Sequence, residues 1–349
     1  MKITTIILLL LSTLISHQSI AGKKIRMKMA SAYPASLPIL GTGGKYLTQQ
    51  LKIVSNGKIK IKFFGPNKLV PPLEIFEAVG TGGIDAGWSA SGMWIGKMPA
   101  ATLFSAIPFG PDISEYLGWI YQGGGLKLWR ELYSRHQVVP IPCTILPPEA
   151  SGWFKKPINS IDDFKGMKIR FYGIGGKVMQ KLGASVQLLA GGDIYPALDR
   201  GVLDATEFSM PSLDEKLGFH QVAKHYYFPG WHQQTSIIEL IINKKKWQSL
   251  NKNQQQTIES VCKDVMIRTM TEGESMQSAS IDRLKNKGVI IHQWSNEILQ
   301  RLYKETQVVL KEEAQNDPFF AKVLKSFNDY RKQFKKWRDL SQINLSIEK

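Results

Sequence analysis

The chain has 349 residues, 43% of them hydrophobic and 10% aromatic, with a formal net charge of +16 at pH 7. That length exceeds what one core usually organises, so two lobes are expected. A basic balance suits nucleic acid, an anionic membrane surface or an acidic ligand, but the lysines are spread along the chain and no arginine-rich stripe or aromatic-stacking motif accompanies them, so no nucleic acid partner is expected.

Lys2, the apolar run over residues 6–15 and Ser19-Ile20-Ala21 ahead of Gly22 have the three-part layout of a secretory signal. The run is far short of the roughly 18 apolar residues that span a bilayer. Residues 1–21 are therefore expected to be a signal peptide, read by the Sec pathway and cleaved after Ala21, leaving a soluble periplasmic protein. No lipoprotein-type cysteine follows the cleavage site.

Residues 25–30 alternate basic and apolar side chains and predict a first strand that ends at Tyr33-Pro34. A helical pattern over 44–54, a turn at Asn56-Gly57, a strand over 58–63, a helix over 73–79 and a strand at 84–87 follow, the alternation of a parallel sheet with right-handed crossovers. The pattern restarts after Pro140: strand 168–171, helix 175–182, strand 185–187, helix 194–200, strand 202–208. The apolar stretch 237–242 predicts a buried strand that carries the chain back to the first lobe. From Asn251 a helix runs to near Asn286, long enough at 1.5 Å per residue to reach about 50 Å and brace both lobes. A short strand at 289–291 and two more helices to Leu340 complete the chain.

Several catalytic patterns are set aside. Gly173-Ile174-Gly175-Gly176-Lys177 lacks the spacer of a phosphate loop and has Val178 where its hydroxyl belongs, and Gly123-Gly124-Gly125 lacks dinucleotide-binding context. His136, His220, His225, His232 and His292 show no zinc spacing and are expected to be surface or internally satisfied residues. Cys143 and Cys262 are free to pair in an oxidising compartment, but two cysteines make no disulfide framework, and they are expected as two buried thiols.

The second half carries Gly152-Trp153-Phe154, Ile161-Asp162-Asp163-Phe164-Lys165-Gly166-Met167-Lys168-Ile169-Arg170, Gly191-Gly192-Asp193-Ile194-Tyr195-Pro196-Ala197-Leu198 and Gly201-Val202-Leu203-Asp204-Ala205-Thr206-Glu207, with Gly82-Gly83-Ile84-Asp85-Ala86-Gly87 as a first-half counterpart. In this order the motifs resemble the solute receptors of TRAP transporters, the DctP-type family, over nearly the whole chain after residue 21. Asp214-Glu215-Lys216-Leu217-Gly218-Phe219 and Tyr226-Tyr227-Phe228-Pro229-Gly230-Trp231 are most similar to its branch for 2-oxo acids and lactate-type 2-hydroxy acids. The resemblance implies an α/β, two-lobed periplasmic-binding-protein fold of type II-like architecture, with hinge strands near residues 145 and 236 and a long bracing helix. Lobe I is expected over 22–145 plus about 236–270, and lobe II over 146–235 plus about 271–349 with the C-terminal helices. It implies no enzyme, but a receptor that delivers a small organic carboxylate to TRAP membrane subunits; a homodimer through the C-terminal helix, residues 319–340, is a further partner it allows. The rival is a secreted metal-assisted hydrolase using Glu149 and Glu207, for which no activating histidine or leaving-group acid is visible.

Arg170 sits at a strand exit, where open α/β sheets place ligand contacts. Its planar donor fork matches a carboxylate through two parallel hydrogen bonds; a salt bridge to Asp163 or Asp193 is the competing use, and the resemblance favours the carboxylate clamp. Glu207 ends the next strand and should face the same cleft, where an unpartnered carboxylate repels the anion that Arg170 attracts. In the branch this chain resembles, a Na+ or Ca2+ ion bridges ligand and protein oxygens, and the matching positions are Glu149, Glu207, the carbonyl of Phe208 and Gln233. Position 149 usually carries Gln in that branch and position 233 Glu; here the two are exchanged, which keeps two carboxylates and one amide. Tyr33, Trp88, Met93, Trp94, Trp153, Tyr172 and Phe208 are candidates for the apolar walls that exclude water, with Trp94, Trp153, Tyr172 and Phe208 expected at the ligand.

Overall fold

The computed structural model describes residues 24–342, so the expected signal segment lies outside the described residues. Strand β1 (Ile25–Ser31) buries Ile25, Met27 and Met29 and exposes Arg26 and Lys28, the period-two pattern of a strand with one wet face. Helix α1 (Leu40–Val54), with Leu47 and Leu51 on its buried stripe, carries the chain across to β2 (Ile59–Phe64), which pairs parallel to β1. Helix α2 (Ile75–Thr81) then leads to β3 (Ala86–Ala90), parallel on the other side of β1. Helices α3 (Ile113–Tyr121) and α4 (Gly125–Ser134) precede β4 (Val138–Leu146).

The alternation expected after Pro140 is present further along the chain, and the expected elements leave out β4, which runs through both Pro140 and Pro142. As an edge strand it tolerates the missing amide donors. The second half contributes β5 (Gly152–Phe154), β6 (Lys168–Arg170), α5 (Gly173–Lys181), β7 (Ser185–Gln187), α6 (Gly191–Asp199), β8 (Ala205–Thr206), α7 (Pro211–Leu217) and β9 (His225–Phe228). Strand β10 (Ser236–Asn243) returns to the first sheet and inserts between β3 and β4; it is buried throughout, hence its unbroken apolar run. After α8 (Lys244–Gln248) and α9 (Lys252–Asn286), β11 (Ile290–Gln293) joins β9, and α10 (Asn296–Asn316) and α11 (Pro318–Ser341) follow.

Two mixed sheets result, β2-β1-β3-β10-β4 and β11-β9-β5-β8-β6-β7. The crossings between them lie side by side: β4 ends and β10 begins where Ser236 pairs with Leu146. Helix α9 starts on a reciprocal cap between Asn251 and Gln254, packs on β4 and α1 of the first sheet, and reaches α7 beside the second. Cys262 on α9 is disulfide-bonded to Cys143 on β4, which corrects the expectation of two thiols. The helix lies directly on the strand, so residues 119 apart in sequence meet.

Helix α10 packs on α5, but α11 turns back to α3, α4 and the 3-10 turn Pro99–Phe104. The C-terminal helix, grouped by the sequence with lobe II, thus lies against the first sheet's helices. There Phe320, Val323 and Phe327 are buried, and Arg331 and Arg338 hold the buried Glu115 carboxylate at 2.8 and 3.2 Å.

Candidate functional site

Strands β6 and β8 are parallel neighbours, so the residues leaving their C-terminal ends emerge together, at the place where open α/β sheets collect ligand contacts. Arg170 ends β6 and Glu207 follows β8, and both are buried. Arg170 Nη1 donates to the Glu207 carbonyl at 2.5 Å and to Glu207 Oε2 at 2.8 Å, while Nε donates to the Leu189 carbonyl at 3.3 Å. Glu207 Oε2 also accepts from the Tyr172 amide at 3.0 Å. Neither Asp163 nor Asp193 takes the arginine. Burial raises the Glu207 pKa, but Arg170, His232 and the Tyr172 amide outweigh it and hold the carboxyl below its ordinary value.

Glu149 arrives from the loop after β4. Gly230 N donates to the Glu149 carbonyl at 2.9 Å, and Glu149 N donates to the Gln233 carbonyl at 3.3 Å, so two loops are laced together. A Cβ at position 230 would lie 2.3 Å from that Glu149 carbonyl, hence the glycine. Glu149 Oε1 accepts from Ser209 at 2.6 Å. Its carboxyl is pushed well up by burial first and by Glu207 second.

One member of this group escaped the sequence. His232, expected on the surface or satisfied, is buried with Nε2 3.4 Å from Glu207 Oε1 and 3.8 Å from Glu149 Oε2. Among the described residues, Glu149 Oε2, Glu207 Oε1 and both His232 ring nitrogens lack a hydrogen-bond partner. One ligand atom from each of the three residues falls within a 4.8 Å cluster. Orphaned buried oxygens of two acids are costly unless a cation or proton meets them, so the residues fit a bound cation. Spacing rules missed His232 because it and its two partners come from three separate segments; the signal available was its place beside Gln233.

A cavity of about 30 Å³ opens here, lined by Tyr33, Met93, Glu149, Arg170, Tyr172, Phe208 and Gln233 among others. Phe208 covers Arg170, with the guanidinium carbon 5.4 Å from the ring centroid. The remaining expected aromatics are not in that lining. Trp94 donates to buried Glu239 at 2.9 Å, Trp153 stacks on Tyr226 at 3.8 Å and donates to Asp214 at 2.9 Å, and Trp88 donates to the Leu40 carbonyl at 2.7 Å. Each indole satisfies its N–H in a core behind the site. These cores also hold acids that ionise late: burial raises Asp214 to about 7 and Glu239 to about 8, despite the donors that face them.

Residues 30–317 match the family model for bacterial extracellular solute-binding proteins, family 7. The chain belongs to that family. A Nostoc protein named as a monocarboxylate 2-oxoacid-binding periplasmic protein is 34% identical over 322 residues, covering 92% of this chain and 88% of its own. Among solved structures, the TRAP periplasmic solute-binding protein of Colwellia psychrerythraea, with bound calcium and pyruvate, is 34% identical with TM-score 0.87 over 91% of this chain and 98% of its own. The corresponding protein of Pseudoalteromonas atlantica, with bound sodium and pyruvate, is 30% identical with TM-score 0.87 over 91% and 97%. The chain is a TRAP solute receptor of that extracellular solute-binding family, which works with membrane subunits, and not an enzyme.

Proposed function

We propose that this receptor captures a small 2-oxo or 2-hydroxy acid, of which pyruvate and lactate are examples, in the cavity at Arg170. The observation that carries the reading is the pair of unpartnered, buried acid oxygens on Glu149 and Glu207 beside an arginine whose Nη2 is not committed to Glu207 or Leu189. Arg170 Nη2 binds the ligand carboxylate. Glu149, Glu207, the Phe208 carbonyl and the Gln233 amide hold a Na+ or Ca2+ ion, which neutralises the acids and offers an electropositive face to the anion. Tyr172 and Phe208 wall the ligand; Trp94 and Trp153 support the walls from behind.

The same reading makes residues 1–21 a Sec signal and assigns the two sheets to lobes that hinge near residues 145 and 236. It also makes α11, which exposes Trp337 and Leu340 at 67% and 84%, a dimer contact. The deciding experiment is mass spectrometry of small molecules released on denaturing the purified receptor, with elemental analysis of the same sample. A 2-oxo or 2-hydroxy monocarboxylate with calcium or sodium is expected. A sugar acid or an amine in its place overturns the ligand class, and turnover of the added acid overturns the receptor role.

A further inference from the structure

Tyr172 leaves the second sheet directly after Arg170-Phe171, yet its side chain ends in the first. Its hydroxyl lies 2.7 Å from Ser105 Oγ, which lies 3.1 Å from Ser236 Oγ. Ser105 closes the 3-10 turn Pro99–Phe104 against the first sheet's helices, and Ser236 opens β10, the strand that crosses between the sheets. All three residues are buried. The phenol also rests on bare backbone: a Cβ at Gly92 would lie 2.4 Å from the Tyr172 hydroxyl oxygen and 2.5 Å from Cζ. Real Cβ atoms do not approach so closely, and neither the backbone at 92 nor a phenol fixed at both ends can yield cheaply. At its other end Tyr172 holds the ligand site through its amide on Glu207 Oε2.

We propose that Tyr172, Ser105 and Gly92 form a latch that holds the two lobes shut over the bound acid. The inference rests on the receptor reading above and adds a part to it that need not touch ligand: neither Ser105 nor Gly92 lines the cavity. A hydroxyl chain that bridges the lobes forms only when they meet, so it stabilises the closed, liganded state and not the open one. It therefore slows dissociation and leaves association unchanged. Gly92 is the slot: with a methyl group there, the phenol cannot reach Ser105 and closure stops short.

The test uses the mature receptor with pyruvate and calcium, followed by calorimetry, stopped-flow kinetics and small-angle scattering. Ser105→Ala is expected to bind about three- to ten-fold more weakly, the loss lying in the dissociation rate, with an unchanged melting temperature in the ligand-free state. Tyr172→Phe and Ser105→Ala combined should cost little more than either alone, because both remove one hydrogen bond. Gly92→Ala should bind more weakly still and lose the contraction in radius of gyration that the wild type shows on saturation. Wild-type affinity and full contraction in both Ser105→Ala and Gly92→Ala would overturn the latch. So would a loss of affinity matched by an equal loss of ligand-free stability, which marks mere packing. A wild type that neither binds nor contracts removes the receptor reading itself, a result distinct from failure of the latch.

Discussion

Replacing Glu149 by Gln should change stability and ion binding in opposite directions. Glu149 and Glu207 place acid oxygens within 4.8 Å of one another, each with one oxygen unpartnered. At that separation and an effective dielectric of about 20, two unit charges repel by ~3 kcal/mol. Removing one charge without changing the shape relieves that repulsion, or the proton uptake that otherwise avoids it, so the ion-depleted receptor should gain up to ~3 kcal/mol and melt a few degrees higher. A cation between the same oxygens loses attraction of comparable size, so calcium affinity should fall about 100-fold, each 1.4 kcal/mol being a factor of ten. Glu149→Gln combined with Gln233→Glu restores the charge count and should recover most of the calcium affinity. The assays are thermal unfolding after exhaustive chelation and calorimetric titration of calcium. A Glu149→Gln protein that is less stable without ion and binds calcium as before would refute the shared-cation reasoning.

Arg170→Lys should weaken pyruvate binding by roughly 2 to 3 kcal/mol by calorimetry with the circular dichroism spectrum retained, since lysine cannot hold Glu207 and a second carboxylate at once; unchanged affinity would remove Arg170 from the site. The Cys143–Cys262 bond closes a loop of 119 residues, for which chain entropy sets an upper bound of ~5 kcal/mol; the paired serine variant should unfold at lower denaturant and become indifferent to reductant, and equal midpoints would contradict the bond. Glu239, ordinarily 4.5 and here about 8, binds its proton more tightly folded than unfolded, so its stabilisation is complete below about pH 4.5 and declines through pH 8, by at most ~5 kcal/mol. Glu239→Gln should flatten the fall in melting temperature across that window, and an undiminished slope would assign it to other groups such as Asp214.

The parts of the fold read correctly from sequence are those whose pattern is local. The alternation of 25–30, the apolar run at 237–242 and the helical stretch from Asn251 each specify an element by period and burial alone, and they fall on β1, β10 and α9. Arg170 and Glu207 were legible because strand ends in a βαβ frame collect on one edge. What was missed depends on meetings in space. Pro140 and Pro142 hid β4, whose edge position excuses them. Cys143 and Cys262 carry no spacing signal across 119 residues. His232 becomes part of the site only when two loops are laced through Gly230. Trp94 and Trp153 have the composition of ligand walls, but their indole N–H groups found buried acids, Glu239 and Asp214, in the cores behind the cavity.

The most direct test of the whole account is calorimetric titration of pyruvate into the receptor after removal of co-purified ligand and ion, in sodium-free buffer, without and then with calcium or sodium restored. The account predicts saturable one-to-one binding with an ion present and affinity at least about ten-fold weaker without one. Equal affinity with and without ion would contradict the bridge at Glu149 and Glu207, and the absence of binding for pyruvate and lactate under every condition would contradict the assigned ligand class.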